Sequence, residues 1–279
     1  MNKFKNTLFK YWGIFCTLVG IVFLIVLLVD IFSTGLPRLD WDFITGSLSR
    51  KPEDSGIYPA IIGTLLMMML TALISIPIGI GAGIYLEEYG KNNRFASILE
   101  VNIANLAGVP SIIYGILGLE LFSRGLNLGG SFMAGALTLA LLILPIIIVS
   151  TRSALQTVPL SIKEASYALG ASKWQTVWHH VLPISFGGIL TGIILALSRA
   201  IGETAPLIVI GAKVFVSAPH SIHDPYTVLP LQIFNWVSRP QQAFGVNASS
   251  AIIVLLIITL LMNMTAIYLR SKSQSNRIK

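Results

Sequence analysis

Six runs of apolar residues, each about twenty or more long, recur along this chain at 12–32, 59–86, 98–122, 131–151, 184–211 and 247–269. That length is the strongest constraint on its fold. At 1.5 Å per residue, about twenty helical residues cross the roughly 30 Å of hydrocarbon in a bilayer. Inside hydrocarbon every backbone N–H and C=O must find an internal partner, so a spanning segment is a helix or part of a closed barrel. A barrel would show short segments of alternating polarity instead of long apolar runs. Hydrophobic residues make up 54% of the 279 and charged residues 11%, against about a quarter charged in soluble domains. The expected fold class is an all-α polytopic membrane protein with six transmembrane helices. The third run carries Glu100, Asn102, Asn105 and Glu120, so its ends are expected at the interfaces and 103–119 in the span proper.

The first run follows Lys3, Lys5 and Lys10, as a signal peptide would. It is longer than a signal-peptide core and no A-x-A cleavage site follows, so it reads as a retained helix. With the N-terminus in the cytoplasm, the inner segments hold twelve Lys and Arg and the outer ones six. The positive-inside rule then places both termini in the cytoplasm of a multi-pass protein. The net charge of +7 reflects this loop bias. No basic stretch interleaves with aromatics, so nucleic acid is not an expected partner. Cys16 is the sole cysteine and forms no intrachain disulfide.

Two outer connections are long. Residues 33–58 are rich in turn formers, and 212–246 include the amphipathic PYTVLPLQIFNW, expected at the outer interface. The inner connection, 152–183, reads as helix, glycine, helix. Ser161 and Glu164 have capping-box spacing, Gly170 suits a helix C-terminus, and Ser172 can cap the next helix. A helical pair on the inner face is either a docking surface or an ordinary loop.

Glu164-Ala165-Ser166, three residues, Gly170, nine residues, then His180-x-Leu182-Pro183 resembles the EAA loop of ABC-importer permeases. Ser166 stands where that pattern has a second alanine, and His180 where it has an aliphatic residue. The resemblance covers about residues 60–270. NIANLAGVPSIIYGILGLELF (102–122) and LSRAIGETAPL (197–207) are similar to the phosphate-specific permeases of the PstA and PstC types, the Ala-Pro ending being closer to the PstA type.

The resemblance implies a type I permease fold, an inner membrane location in a bacterium or archaeon, and transport without covalent chemistry. It implies that Glu164, Ala165, Ser166, Gly170, Leu182 and Pro183 couple to an ATPase. The implied partners are a second, PstC-like permease, a PstB-like ATPase dimer, a PstS-like external phosphate-binding protein, and membrane lipid. It divides the chain into an N-terminal helix and outer loop (1–58), a permease core (59–270) with the coupling loop, and a tail (271–279). No cofactor is implied. Consistently, the chain has no G-x-x-x-x-G-K-[ST], the backbone cradle for nucleotide phosphates. Gly79 and Gly83 in GIGAG have the spacing of a close helix contact.

His220-x-x-His223-Asp224 has ligand-type residues but is read as a polar loop, and His179-His180 as packing or interface residues. Met67-Met68-Met69 is read as helix filler. Asn102, Asn105 and Ser111 are read as structural polar groups between helices.

Arg199 and Glu203 remain, four residues apart in the fifth run, with Pro206 just beyond. An isolated charge at the centre of a spanning helix costs roughly 2.5–3.5 kcal/mol. Counted from 184, Arg199 lies about 22 Å along, in the outer half. Spacing of four allows an ion pair, in the less favourable order, and Pro206 is expected to kink the helix. The pair is either a structural ion pair or part of a substrate path, where arginine's planar fork suits an oxyanion. The phosphate reading has alternatives: another oxyanion such as molybdate or sulfate, a gated anion channel, or an intramembrane enzyme using Glu203.

Overall fold

A computed structural model of the chain describes residues 3–90, 93–219 and 221–275. Twelve helices follow one another among them: α1 (Lys3–Gly35), α2 (Trp41–Thr45), α3 (Tyr58–Ile84), α4 (Arg94–Leu106), α5 (Ser111–Gly118), α6 (Phe132–Gln156), α7 (Leu160–Ala168), α8 (Lys173–Thr176), α9 (Leu182–Ala200), α10 (Ala205–Ile210), α11 (Leu229–Val237) and α12 (Gln242–Ser275). Wider π turns extend α3 to Tyr89 and α5 to Gly125, and Val177–Val181 joins α8 to α9. The end of the bundle carrying α7 and α8 is called lower here.

Small residues set the helix registers. Gly135 meets Met67, Gly79 meets Ile147 and Gly83 meets Thr151. Partners are 68 residues apart in each case, so α3 and α6 run parallel. Gly188 meets Ala154 and Gly192 meets Ser150, a descending register that makes α9 antiparallel to α6. In lipid, where apolar surface gains little by being hidden, such close backbone approach supplies the packing. Gly79 and Gly83 thus make the helix contact their spacing predicts.

The parallel α3 and α6 require the chain between them to cross back. It does so as a broken span. α4 and α5 meet at 111° around Ala107–Pro110. Pro110 cannot extend α4 and disfavours helical backbone at Val109, and the Tyr114 hydroxyl donates to the Leu106 carbonyl at 2.8 Å. Ala96 and Leu99 lie with Ile148 near the lower end of α6, whereas Gly118 abuts Thr138 near its upper end. The pair therefore climbs through the bundle and counts as one crossing of six. The unbroken run expected at 98–122 is corrected accordingly.

The fifth run is also broken. The helix begins at Lys173 and stops at Ala200, and α10 resumes at Ala205. Pro206 sits in the first turn of α10, where a missing N–H has no partner to lose. The expected kink at Pro206 is thus a full interruption, placed before it.

Above the bundle, residues 212–219 and 221–228 fold back over it. The Leu229 amide donates to Thr64 Oγ1 at 2.9 Å and the Tyr226 hydroxyl to the Leu207 carbonyl at 3.1 Å. α11 buries Trp236 among Phe43, Ile57 and Phe244, while Phe234 and Val237 stay exposed. Phe43 and Ile57 bring the 33–58 connection into the same cluster. α1 touches the bundle at its upper end, where the Ser250 hydroxyl donates to the Gly35 carbonyl at 2.8 Å; its most apolar stretch is unburied.

Candidate functional site

Arg199 is the penultimate residue of α9, and Glu203 lies in the break before α10. Continuing the α6–α9 register from Gly188 and Gly192 brings Arg199 level with Ile143, midway along Phe132–Gln156. The expectation of an outer-half position is corrected to mid-depth. The reason is that α6, the helix alongside, runs 25 residues, longer than the roughly 30 Å slab that the count from 184 assumes. The break brings polar backbone to the same depth, which membrane proteins tolerate where protein or a water-lined cavity receives it.

Arg199 Nε and Glu203 Oε1 are 3.4 Å apart, with the arginine side chain 43% exposed and the glutamate 16%. The contact is long and single, so most of the guanidinium fork is uncommitted. Glu203 faces a crevice shared with Thr64, Met67, Met68, Leu139 and Val228. Met67 and Met68 are buried against neighbouring elements, whereas Met69 is exposed. Beside Arg199, the Ser198 hydroxyl donates to Asn263 Oδ1 at 2.7 Å, which fixes the end of α9 to α12.

The lower arm is α7, Gly170, α8 and the Val177–Val181 turn. α7 starts at Leu160 after Pro159 with no side-chain cap. The Ser161–Glu164 capping box is therefore corrected: Ser161 is already inside the helix. Gly170 follows its end at φ +84°, a left-handed conformation that glycine adopts without strain. Ser172 and Gln175 form a capping box at α8, as the spacing of Ser172 suggests. Glu164, Ala165 and Gly170 are exposed, but Ser166 is buried and its hydroxyl pairs with Thr176 Oγ1 at 2.9 Å. Ser166 therefore ties α7 to α8 and offers nothing outward. Leu182 and Pro183 start α9 half-buried, Leu182 against Leu155, Val158 and Val181.

The charged cluster above the arm is absent from the sequence expectations. Glu88 accepts from Lys163 Nζ at 2.5 Å, with both side chains buried. Glu87 accepts from Arg152 Nε at 3.2 Å and from Gln156 Nε2 at 2.9 Å, and Arg152 also pairs with Glu100. Partial desolvation, then the neighbouring Glu88 and Tyr89, push the Tyr167 hydroxyl above its ordinary pKa. Two adjacent acids closing an apolar run were the available signal.

Asn102 donates to the Ile98 carbonyl of its own helix at 2.7 Å, so it does not bridge helices as expected. His179 Nδ1 lies 3.0 Å from the Gln175 carbonyl. His220 lies outside the described residues, and among those described no three metal-ligand side chains come together. Asp224 and Ser221 form a local turn.

Residues 75–273 match the model of a protein family described as binding-protein-dependent transport system inner membrane component. The chain is similar to "Phosphate transport system permease protein PstA 1" of Mycobacterium tuberculosis, 33% identical over 96% of this chain and 90% of that one. Its counterpart PstA of Haemophilus influenzae is 35% identical over 86% and 84%. In fold it resembles a bacterial alginate ABC transporter chain, with TM-score 0.69, 15% identity and coverage of 94% and 93%. A chain of the MetNI methionine ABC transporter gives 0.60 at 17% identity, over 78% and 94%.

Proposed function

The chain belongs to the family of binding-protein-dependent transport system inner membrane components, and we propose that within it this protein is a permease subunit of an ATP-driven phosphate importer. The observation that carries the reading is the half-open Arg199–Glu203 pair at mid-depth in a broken span. Intramembrane charges facing a path usually belong to it. The relatives named for phosphate transport supply the cargo.

The chemistry follows from the geometry. A guanidinium presents parallel N–H groups that match two oxygens of a phosphate. In the resting chain it is held by one 3.4 Å contact to Glu203. The single long contact leaves part of the fork free, so an arriving anion can take over the guanidinium without first breaking a bidentate pair. Glu203 then repels the anion and reclaims Arg199 when it leaves. Arg199 and Glu203 thus bind and release without covalent chemistry.

A second permease completes the path. A separate ATPase dimer docks on the exposed Glu164–Ala165 and Gly170 surface of the arm, and an external binding protein delivers phosphate to the upper connections. The Lys and Arg excess of the lower segments supports a cytoplasmic arm and cytoplasmic termini. ATP binding moves the arm, and the helices leading from it shift the path between outward and inward access.

The test is the four-part complex in proteoliposomes, supplied in turn with phosphate, sulfate and molybdate. Phosphate uptake with matching ATPase stimulation is expected, and stimulation by another oxyanion alone would refute the cargo. Arg199→Gln should abolish uptake while the complex still assembles. Normal uptake in that variant would remove Arg199 from the path.

A further inference from the structure

The Tyr85–Tyr89 turn at the lower end of α3 is a π turn, a wider winding that often marks functional positions in helices. It receives contacts from two sides. From the arm, Lys163 of α7 reaches Glu88 at 2.5 Å, and the Lys173 ammonium of α8 stands 4.9 Å over the Tyr89 ring. From the bundle, Arg152 and Gln156 of α6 hold Glu87, and Glu100 of α4 holds Arg152.

The arm is itself clipped together by Ser166 and Thr176. The α7 backbone packs on α8 and on the Val177–Val181 turn, so α7 leans on the rest of the arm. We infer that Glu88 and Lys163 are positioning residues for transport: their buried ion pair is the joint through which the arm drives α3, in parallel with the direct continuation of the arm into α9. This rests on the importer reading above.

A joint of this kind must resist separation. Glu88 and Lys163 are both at least nine-tenths buried, so pulling them apart leaves two charges in a low-dielectric site, where breaking a pair is far costlier than at a surface. α3 is locked in turn to α6 by the Gly79 and Gly83 contacts. A displacement of α7 therefore reaches α3 and α6 together, while α9 carries it to Arg199. Both sides of the crevice at Glu203 then move on one input.

The experiment uses the complete complex in proteoliposomes, with Glu88→Gln, Lys163→Gln, and the exchange Glu88→Lys with Lys163→Glu. Each single variant is expected to keep ATP hydrolysis by the assembled complex while phosphate moved per ATP falls about tenfold, the scale of one lost charge-assisted hydrogen bond. The exchange should restore the ratio. A wild-type ratio in both single variants overturns the joint. So does a parallel fall of hydrolysis and transport that the exchange fails to repair, because that marks a purely structural pair.

If the unmodified complex moves no phosphate, the importer reading fails, and a second measurement still decides the joint. Spin labels replace the exposed Leu160 and Ile78 in a chain with Cys16 changed to Ser. Their separation should stay constant on ATP binding with Glu88 intact and change in Glu88→Gln. Equal behaviour in both chains overturns the joint independently of cargo.

Discussion

Gly192 offers the sharpest test of how α9 is held. A Cβ built at this position would lie 1.9 Å from Ser150 Oγ and 2.3 Å from Ser150 Cβ, where ordinary contact begins near 3.4 Å. The hydroxyl can rotate away, since its hydrogen bond is to Ile147 of its own helix. The Cβ cannot, because it is fixed to the α6 backbone. Gly192→Ala must therefore push the helices apart by about 1 Å, and overpacking of this kind costs about 1–3 kcal/mol. Ser150→Gly removes both obstacles and leaves Ser150 Cα at 3.6 Å, an ordinary contact, at a price of about 1 kcal/mol for a glycine inside a helix. Ser150→Ala removes only the hydroxyl. The double variant Gly192→Ala with Ser150→Gly should regain most of what Gly192→Ala loses, whereas pairing with Ser150→Ala should not. The loss should appear as a lowered Tm of the purified complex. Phosphate uptake should follow the same order, because the crossing sets the depth of Arg199. A wild-type Tm in Gly192→Ala, or strictly additive effects in both double variants, would refute the register.

Exchanging the pair as Arg199→Glu with Glu203→Arg places the acid ahead of the base, the better order at this spacing. The complex should assemble normally, yet uptake should fall by tenfold or more, about the loss of one charge-assisted hydrogen bond; wild-type uptake would leave the pair a structural role alone. Gly63→Ala would set a Cβ 2.0 Å from the Thr227 carbonyl oxygen, so residues 225–229 should lift from α3 and become sensitive to external protease. Gly170→Val imposes φ +84° on a β-branched residue at a cost of about 1–2 kcal/mol, and less ATPase should co-purify with the permease.

How much of this was legible in the sequence depends on whether a feature is local. The apolar runs were legible because crossing hydrocarbon demands length, and Ser172 and Gly170 because caps and left-handed turns demand particular side chains. The breaks at 107–110 and 201–204 were hidden because both lie inside apolar stretches, where average hydropathy conceals a change of direction. Val109-Pro110 was the one local sign of the first. The second was misread as a kink because Pro206 looks alike inside a helix and at its start. Glu87, Glu88, Lys163 and Arg152 read singly as charges closing a span or biasing a loop. Only the fold brings Lys163 to a residue 75 positions away. Ser166 sat within a recognisable motif, but the motif does not say which of its faces is turned inward.

The two breaks gain meaning from each other. Val109 and Ile201 belong to the same hydrophobic cluster, and Gly115 and Pro206, each within five residues of its break, meet, so the two interruptions lie near one level. Above that level α5 and α10 pack together, with Gly115 close against Pro206. Below it, α9 continues from the arm, and α3 and α6 are joined to it through small-residue contacts. The upper half-helices are thus connected to the lower segments by short non-helical chain, where backbone angles change at little cost. Arg199 ends one body and Glu203 lies in the link to the other. Their separation is therefore the coordinate that a small rotation between the bodies would change first. A charge pair buried within one rigid helix would lack this property. A pair on a seam can open for an anion and close behind it without either body deforming.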